Sequence, residues 1–250
     1  MLVTIEGIVI GKRSVGESNC FLDILTDEYG LIEVTAHGVK KLTNRNAGIS
    51  SLFSYCKFCL SKSGTRYTLN SGEPKYSFHG ISSDMECFSL AAYFSEVLKD
   101  AAASEQQAEG LLRFTAVTLY ELEKKRISRE LIKSVFELHL CSMLGFMPDL
   151  RACSRCGRYE HDVMYFDTDN ACIICGSCAS GAAGSDRLVP LTPAVLDKMR
   201  HMVFADTDKV YRLSADSATV NRLSQITERY LLKTFDRGFG SLDYYKKIKL

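Results

Sequence analysis

Five of the chain's ten cysteines fall between Cys153 and Cys178, and their spacing constrains the fold more than any other feature of the sequence. Cys153-Ser154-Arg155-Cys156-Gly157 is a C-x-x-C knuckle: when the chain turns, two thiolates at this spacing face one ion, and Gly157 permits the turn. The partner knuckle is ambiguous, because Cys172-x-x-Cys175-x-x-Cys178 contains two overlapping pairs. Cys156 is followed by 18 residues before Cys175 and by 15 before Cys172, and both gaps suit a two-knuckle zinc site. We favour Cys175 and Cys178, since Gly176 lies inside that loop while Ile173 and Ile174 read as strand residues entering it. The expected ligands of one Zn²⁺ are therefore Cys153, Cys156, Cys175 and Cys178. Four thiolates complete a tetrahedral shell with no position left for water, so such a site holds structure and does no chemistry. His161 could replace a thiolate, but a surface histidine is the plainer reading. Val163–Phe166, the turn Asp167–Asn170 and Ala171–Ile174 read as a hairpin between the knuckles.

The rest of the chain is ordinary for a globular protein: 250 residues, 46% hydrophobic, 24% charged, net charge +1. The opening Met1–Glu6 lacks a basic stretch followed by an apolar one, and runs such as Leu138–Pro148 fall short of the roughly 20 apolar residues a membrane span needs. A cytoplasmic chain with reduced thiols is expected, which again favours metal over disulfides. The first 80 residues read as β: Leu2–Lys12, Phe21–Thr26, Leu31–Ala36, Tyr55–Lys62 and Arg66–Asn70, with Asp27-Glu28-Tyr29-Gly30 as a hairpin turn. Five strands in one block predict a small barrel. Ser83-Asp84-Met85-Glu86 reads as a capping box opening a helix to about Ala103. Further helices are expected from about Glu105 to Lys125 and after Ser128, the latter with Ile132, Val135, Phe136, His139, Leu140 and Met143 on one face and Gly145 and Pro148 ending it. After the cysteines come a Gly/Ala/Ser-rich connection over Ser177–Ser185, a helix opened by Thr192-Pro193 to about Phe204, and a last helix from about Ala215 to Phe235. The tail Arg237–Leu250 is basic and aromatic. The expected class is α+β: an N-terminal five-stranded barrel over 1–80, then a helical domain over 81–250 carrying the four-cysteine ribbon as an insert at 151–180.

With an overall charge near zero, only local charge argues for a polyanionic partner. Between Lys40 and Lys75 there are seven basic residues and one acid, Glu73, whereas residues 1–39 set Lys12 and Arg13 against six acids. A barrel with one basic side suits single-strand nucleic acid, with cations tracking phosphates and aromatics stacking bases. Lys40, Lys41 and Arg45, in a loop bounded by Gly38 and Gly48, are the leading phosphate contacts, joined by Lys57, Lys62 and Arg66. Of the interleaved Phe53, Tyr55, Phe58, Tyr67 and Tyr76, most are expected in the core. Arg237, Lys246, Lys247 and Lys249 form a second basic set. Several catalytic patterns fail. Cys56-Lys57-Phe58-Cys59 sits on a strand, where positions i and i+3 face opposite sides. Gly7–Ser14 is one residue short of a phosphate loop, lacks Ser or Thr directly after Lys12, and lies in a β-rich stretch. Gly238-Phe239-Gly240 lacks the third glycine of a dinucleotide fingerprint, and no histidine is followed by x-Glu or forms H-E-x-x-H. No enzymatic site is expected.

The order of parts resembles the bacterial RecO recombination mediators. The resemblance runs through Gly16-Glu17-Ser18, Leu22–Thr26, Tyr29-Gly30-Leu31 and Gly38-Val39-Lys40-Lys41. It is strongest at Phe136…Leu140…Gly145-Phe146-Met147-Pro148-Asp149-Leu150…Cys153-x-x-Cys156-Gly157, and continues to Gly240-Ser241-Leu242. It implies that the barrel is an OB-fold, followed by a helical domain with a zinc motif. The family commonly has a glycine pair before its last knuckle; Ala171 and Cys172 stand there, which supports Cys175 and Cys178 as ligands and leaves Cys172 a bystander. The resemblance implies a non-enzymatic, nucleoid-associated DNA repair and recombination protein. Such proteins bind single- and double-stranded DNA, anneal complementary strands, and with RecR help load RecA onto strands coated by single-strand binding protein. That protein's acidic C-terminal tail would bind in a groove between helices. The alternative is a zinc-ribbon nucleic-acid-binding factor of transcription or translation.

Overall fold

Alternating apolar and polar side chains along the N-terminal 77 residues wrap five strands around one core. The computed structural model describes residues 1–41, 43–102, 108–179 and 187–249. Its strands β1 (Leu2–Val15), β2 (Asn19–Thr26), β3 (Gly30–Ala36), β4 (Ser54–Ser63) and β5 (Arg66–Ser77) close into a barrel in the order β1-β2-β3-β5-β4. Strand β1 spans the closure. Its first half pairs with β4, placing Ile5 opposite Phe58, and its second half pairs with β2, placing Arg13 opposite Phe21. A register shift between Val9 and Gly11 marks the change of partner, as a bulge that bends a strand does. The inward residues, among them Ile5, Leu22, Ile24, Val34, Phe58 and Leu60, are buried. Gly30 takes φ +59 at the expected β2–β3 turn. The failed phosphate-loop run Gly7–Ser14 lies wholly on β1, where a Cβ at Gly7 would meet the Leu25 carbonyl at 2.8 Å.

Helices α1 (His79–Ser82), α2 (Met85–Ala101) and α3 (Leu111–Lys124) follow. The cap of α2 corrects the expected capping box. Asp84, not Ser83, is the N-cap: its carboxylate accepts from the N–H groups of Glu86 and Cys87, each at 3.0 Å, while Ser83 Oγ donates to the Gly80 carbonyl. A carboxylate there also meets the positive end of the helix dipole. The expected end of α2 at Ala103 and start of the next helix at Glu105 lie outside the described residues.

The chain packs as two compact units, Met1–Lys124 with Phe239–Leu250, and Lys125–Gly238. The second is built around α4 (Arg129–Met143), capped by Ser128 Oγ accepting from Leu131 N. Its sequence pattern suggests one apolar face, yet every residue from Leu131 to Cys141 is buried, including Lys133 and Glu137. Gly145, at φ +88, ends it as expected. The hairpin between the knuckles forms as β7 (Met164–Asp167) and β8 (Cys172–Cys175), and it gains two strands that sequence patterning does not show, β6 (Asp149–Cys153) and β9 (Leu188–Leu191). The resulting sheet has the order β6-β8-β7-β9. These outer strands are too short, and too close to Pro148 and Pro190, to display an alternation. Residues 180–185 of the expected Ser177–Ser185 connection lie outside the described residues. Thr192 caps α5 (Pro193–Phe204) with Pro193 in its first turn, and Asp216 caps α6 (Ser217–Thr234).

The basic tail is a helix, α7 (Gly240–Ile248), which returns to the first unit and packs on α2. Leu242 and Tyr245, three positions apart, are buried, Ser241 N donates to Glu96 Oε2 at 2.9 Å, and the Phe239 ring meets Tyr93 edge-on. No described helix is long and apolar enough to cross a membrane.

Candidate metal centre and nucleic-acid surface

The two knuckles converge. The Sγ atoms of Cys153, Cys156, Cys175 and Cys178 all lie within 4.8 Å of one another, with Cys156 and Cys175 3.6 Å apart. Sulfurs at about 2.3 Å from a tetrahedral zinc are separated by roughly 3.8 Å, so the set has the size of that shell. Each knuckle is a tight turn. Gly157 N donates to the Cys153 carbonyl with φ +70, and both Cys178 N and Ala179 N donate to the Cys175 carbonyl. Arg155 Nη1 donates to the Cys178 carbonyl at 2.6 Å, tying one knuckle to the other. Burial works against a charged Cys153, but backbone N–H groups of Cys175, Arg155 and Cys156 outweigh it and bring the thiol down to about 6. Hydrogen bonding to Cys175 and Cys156 pushes Cys178 up to about 12. Four converging thiols, one already favoured as thiolate, fit a soft, tetrahedral metal ion. Cys172 is outside the group and its Sγ faces Ser154 Oγ at 3.4 Å, while the His161 ring bonds Ser177 Oγ at 2.9 Å. The converging group therefore contains the Cys175–Cys178 pair, with Cys172 and His161 outside it.

The cations read as phosphate contacts divide into three places on the barrel. Lys40, Lys41 and Arg45 are exposed on the β3–β4 connection, a succession of turns held at both ends. Gly38 N donates to Asn19 Oδ1, Lys40 Nζ reaches the Gly16 carbonyl at 3.0 Å, and Asn46 Nδ2 donates to the Asn70 carbonyl. Lys62 and Arg66 flank the β4–β5 turn. Arg66 is exposed, whereas the Lys62 ammonium sits over the rings of Tyr67 and Tyr29, at 4.8 and 5.3 Å. Lys57 lies between Glu6 on β1 and Glu73 on β5. The acidic and basic stretches of sequence are therefore not opposite sides of the barrel, because β1 pairs directly with β4. Lys75 also serves Glu6, and that hydrogen bond, with one from Tyr55, holds the carboxyl below the usual carboxylate range. Of the interleaved aromatics, Phe53, Phe58 and Tyr67 are buried; Tyr55 donates to Glu6, and Tyr76 to Glu123 at 2.7 Å. Cys56 is core, with burial pushing its thiol up to about 11, and Cys59 faces the other way.

The second unit also holds an ionic cluster that sequence patterning hides. Lys133 Nζ lies 2.8 Å from Glu137 Oε1 and 2.9 Å from Glu228 Oε2, and Thr227 Oγ1 donates to Glu137 Oε2 at 2.6 Å. Burial disfavours the ammonium, but the two carboxylates outweigh it and raise the Lys133 pKa. The one signal in the sequence is a Lys and a Glu four apart on the helix that carries Ile132, Val135, Phe136 and Leu140.

Comparison with known proteins gives concordant matches along the chain. Residues 1–78 match the family model described as Recombination protein O N terminal, and residues 82–243 match Recombination protein O C terminal. A protein of Alkaliphilus metalliredigens named DNA repair protein RecO is 28% identical over 249 residues, 99% of this chain and 100% of the relative. Proteins of the same name from Acetivibrio thermocellus and Bacillus pumilus are 26% and 29% identical, over 97% and 92% of this chain and 96% and 88% of their own.

Proposed function

The chain belongs to the RecO family and has with it a role in DNA repair and recombination, and from that premise we propose that it binds single- and double-stranded DNA and anneals complementary strands. In the same reading it works with RecR to load RecA onto strands coated by single-strand binding protein, whose C-terminal tail it also engages. It performs no catalytic chemistry of its own, which agrees with the placement of Gly7–Ser14 along a strand and not in a phosphate-binding loop. Annealing requires only that two phosphate backbones be neutralised and brought together. One structural Zn²⁺ bound by Cys153, Cys156, Cys175 and Cys178 would hold the ribbon sheet together. The full-length family match favours this reading over a transcription or translation factor.

The observation that carries the DNA contact is the exposed Lys40, Lys41 and Arg45 set on a connection pinned to the barrel, with Lys57, Lys62 and Arg66 as secondary contacts. The test is a salt titration of oligonucleotide affinity. Single strands contribute a slope of roughly 0.7 per neutralised phosphate, so replacing the three with alanine lowers the slope of log K against log[salt] by about 2. The loss is the same for every base sequence, since phosphate contacts carry no sequence information. Annealing of fluorescent strands without ATP weakens in parallel. An unchanged slope would overturn this placement and move the DNA elsewhere, to Lys246, Lys247 and Lys249 first.

A further inference from the structure

The aromatics that sequence interleaves with the basic residues are buried or hydrogen-bonded, yet one ring stands outward beside a cleft. On β2 the side chains of Cys20, Leu22 and Ile24 point into the core, so Phe21 points out, and it is half-buried. Across the strands its neighbours are Arg13 on β1 and Thr35 on β3. The Arg13 guanidinium lies 5.7 Å from the ring centroid and also bonds Glu33. The cleft arises from the barrel's seam. Strands β3 and β5 share a short parallel register, Val34 with Tyr67 and Thr35 with Thr68, and the wall opens beyond it. The opening is about 790 Å³, lined by Phe21, Glu33, Thr35, Thr65 and Arg66 over a floor of Ile32 and Tyr67. That volume lies within the roughly 300–1,000 Å³ of small-molecule clefts.

We infer that Phe21 is a stacking platform for a base of single-stranded DNA, which enters the seam cleft with its backbone beside Arg66; this rests on the reading that the barrel binds single strands. A phenyl face meets any base, threonine hydroxyls offer polar partners without fixed directionality, and Arg66 supplies a cation at the rim. Glu33 and Asp23, the acids of this face, are occupied: Glu33 by Arg13, and Asp23 by Lys99 at 2.7 Å. A paired duplex keeps its bases inside the stack, so Phe21 distinguishes single from double strands where the β3–β4 cations do not.

The experiment measures affinity of the full chain for a single-stranded thymidine oligonucleotide and for a duplex, across salt, with Phe21→Leu, Phe21→Ala and Phe21→Tyr. Stacking contributes ~1–3 kcal/mol per base, which at about 1.4 kcal/mol per decade is a loss of roughly five- to 150-fold. Phe21→Leu and Phe21→Ala show that loss on the single strand with the salt slope unchanged and duplex affinity near wild type; Phe21→Tyr restores binding. Phe21→Leu keeps apolar cover on the barrel, so a fall confined to Phe21→Ala marks damage to the fold and overturns the inference. An equal loss on the duplex, or a single strand bound by Phe21→Leu as by wild type, overturns it too. Failure of the broader reading looks different: wild type itself then binds no single strand.

Discussion

Replacing Lys133 with methionine keeps the length and volume of a buried side chain while removing its charge. Lys133 is 3% exposed and touches Glu137, which is fully buried, and Glu228. Because its folded pKa is raised above 10.5, its stabilising contribution is fully present below about that pH and is lost only as pH rises through the folded value. At neutral pH the whole contribution is therefore at risk. Removing one partner of a buried ionic cluster costs about 3–5 kcal/mol, because the remaining charge has neither water nor a counter-ion. With an unfolding entropy of about 2.1 cal/mol/K per residue, the 114 residues of Lys125–Gly238 carry about 240 cal/mol/K. The transition of that unit should fall by roughly 12–20 °C, read by scanning calorimetry at pH 7–8. The deficit should narrow as the pH falls, because protonating a stranded buried carboxylate removes its charge. A triple variant, Lys133→Met with Glu137→Leu and Thr227→Val, should lose less than the single change. It removes the buried charge pair and the hydroxyl that serves it, and Glu228, at 19% exposure, retains access to water. A single variant within about 1 kcal/mol of wild type, or a triple variant worse than the single, would refute the reasoning.

Two further outcomes follow from the second unit. Elemental analysis should give one zinc per wild-type chain and none in Cys153→Ser with Cys156→Ser, which should also destabilise the unit, whereas Cys172→Ser should change neither; zinc retained by the double variant would exclude the four-cysteine site. Ala171 holds φ +51 in the turn between β7 and β8, a conformation that costs a side-chain-bearing residue about 1–2 kcal/mol. After glycine's extra unfolded-state entropy of roughly 0.5–1 kcal/mol, Ala171→Gly should raise the transition by up to about 6 °C, and a lower transition would show that the turn is not strained.

The features legible in the chain itself are those settled within a few residues. The C-x-x-C spacing brings thiolates to one point because each knuckle is a single turn, and the Thr192-Pro193 and Ser128 helix starts act on N–H groups two or three positions away. Gly30 and Gly145 occupy backbone conformations that their neighbours demand. Even the choice between Cys172 and Cys178 was approachable, since strand residues precede Cys175. What waited for the tertiary structure depends on partners far apart in sequence. Glu6 faces Lys57 only because β1 lies against β4, which interleaves stretches that look electrostatically separate. Asp84 displaces Ser83 as a cap because its carboxylate reaches two N–H groups while the serine turns back to Gly80. Helix α7 folds because α2 offers Glu96 and Tyr93 to receive it, and Lys133 is tolerated in a core because α6 brings Glu228. Phe21 reads as one more strand aromatic until the seam between β3 and β5 opens beside it. Local stereochemistry is written in short segments, but the surroundings of a charge or an outward ring are set by register and packing, and those are properties of the closed fold.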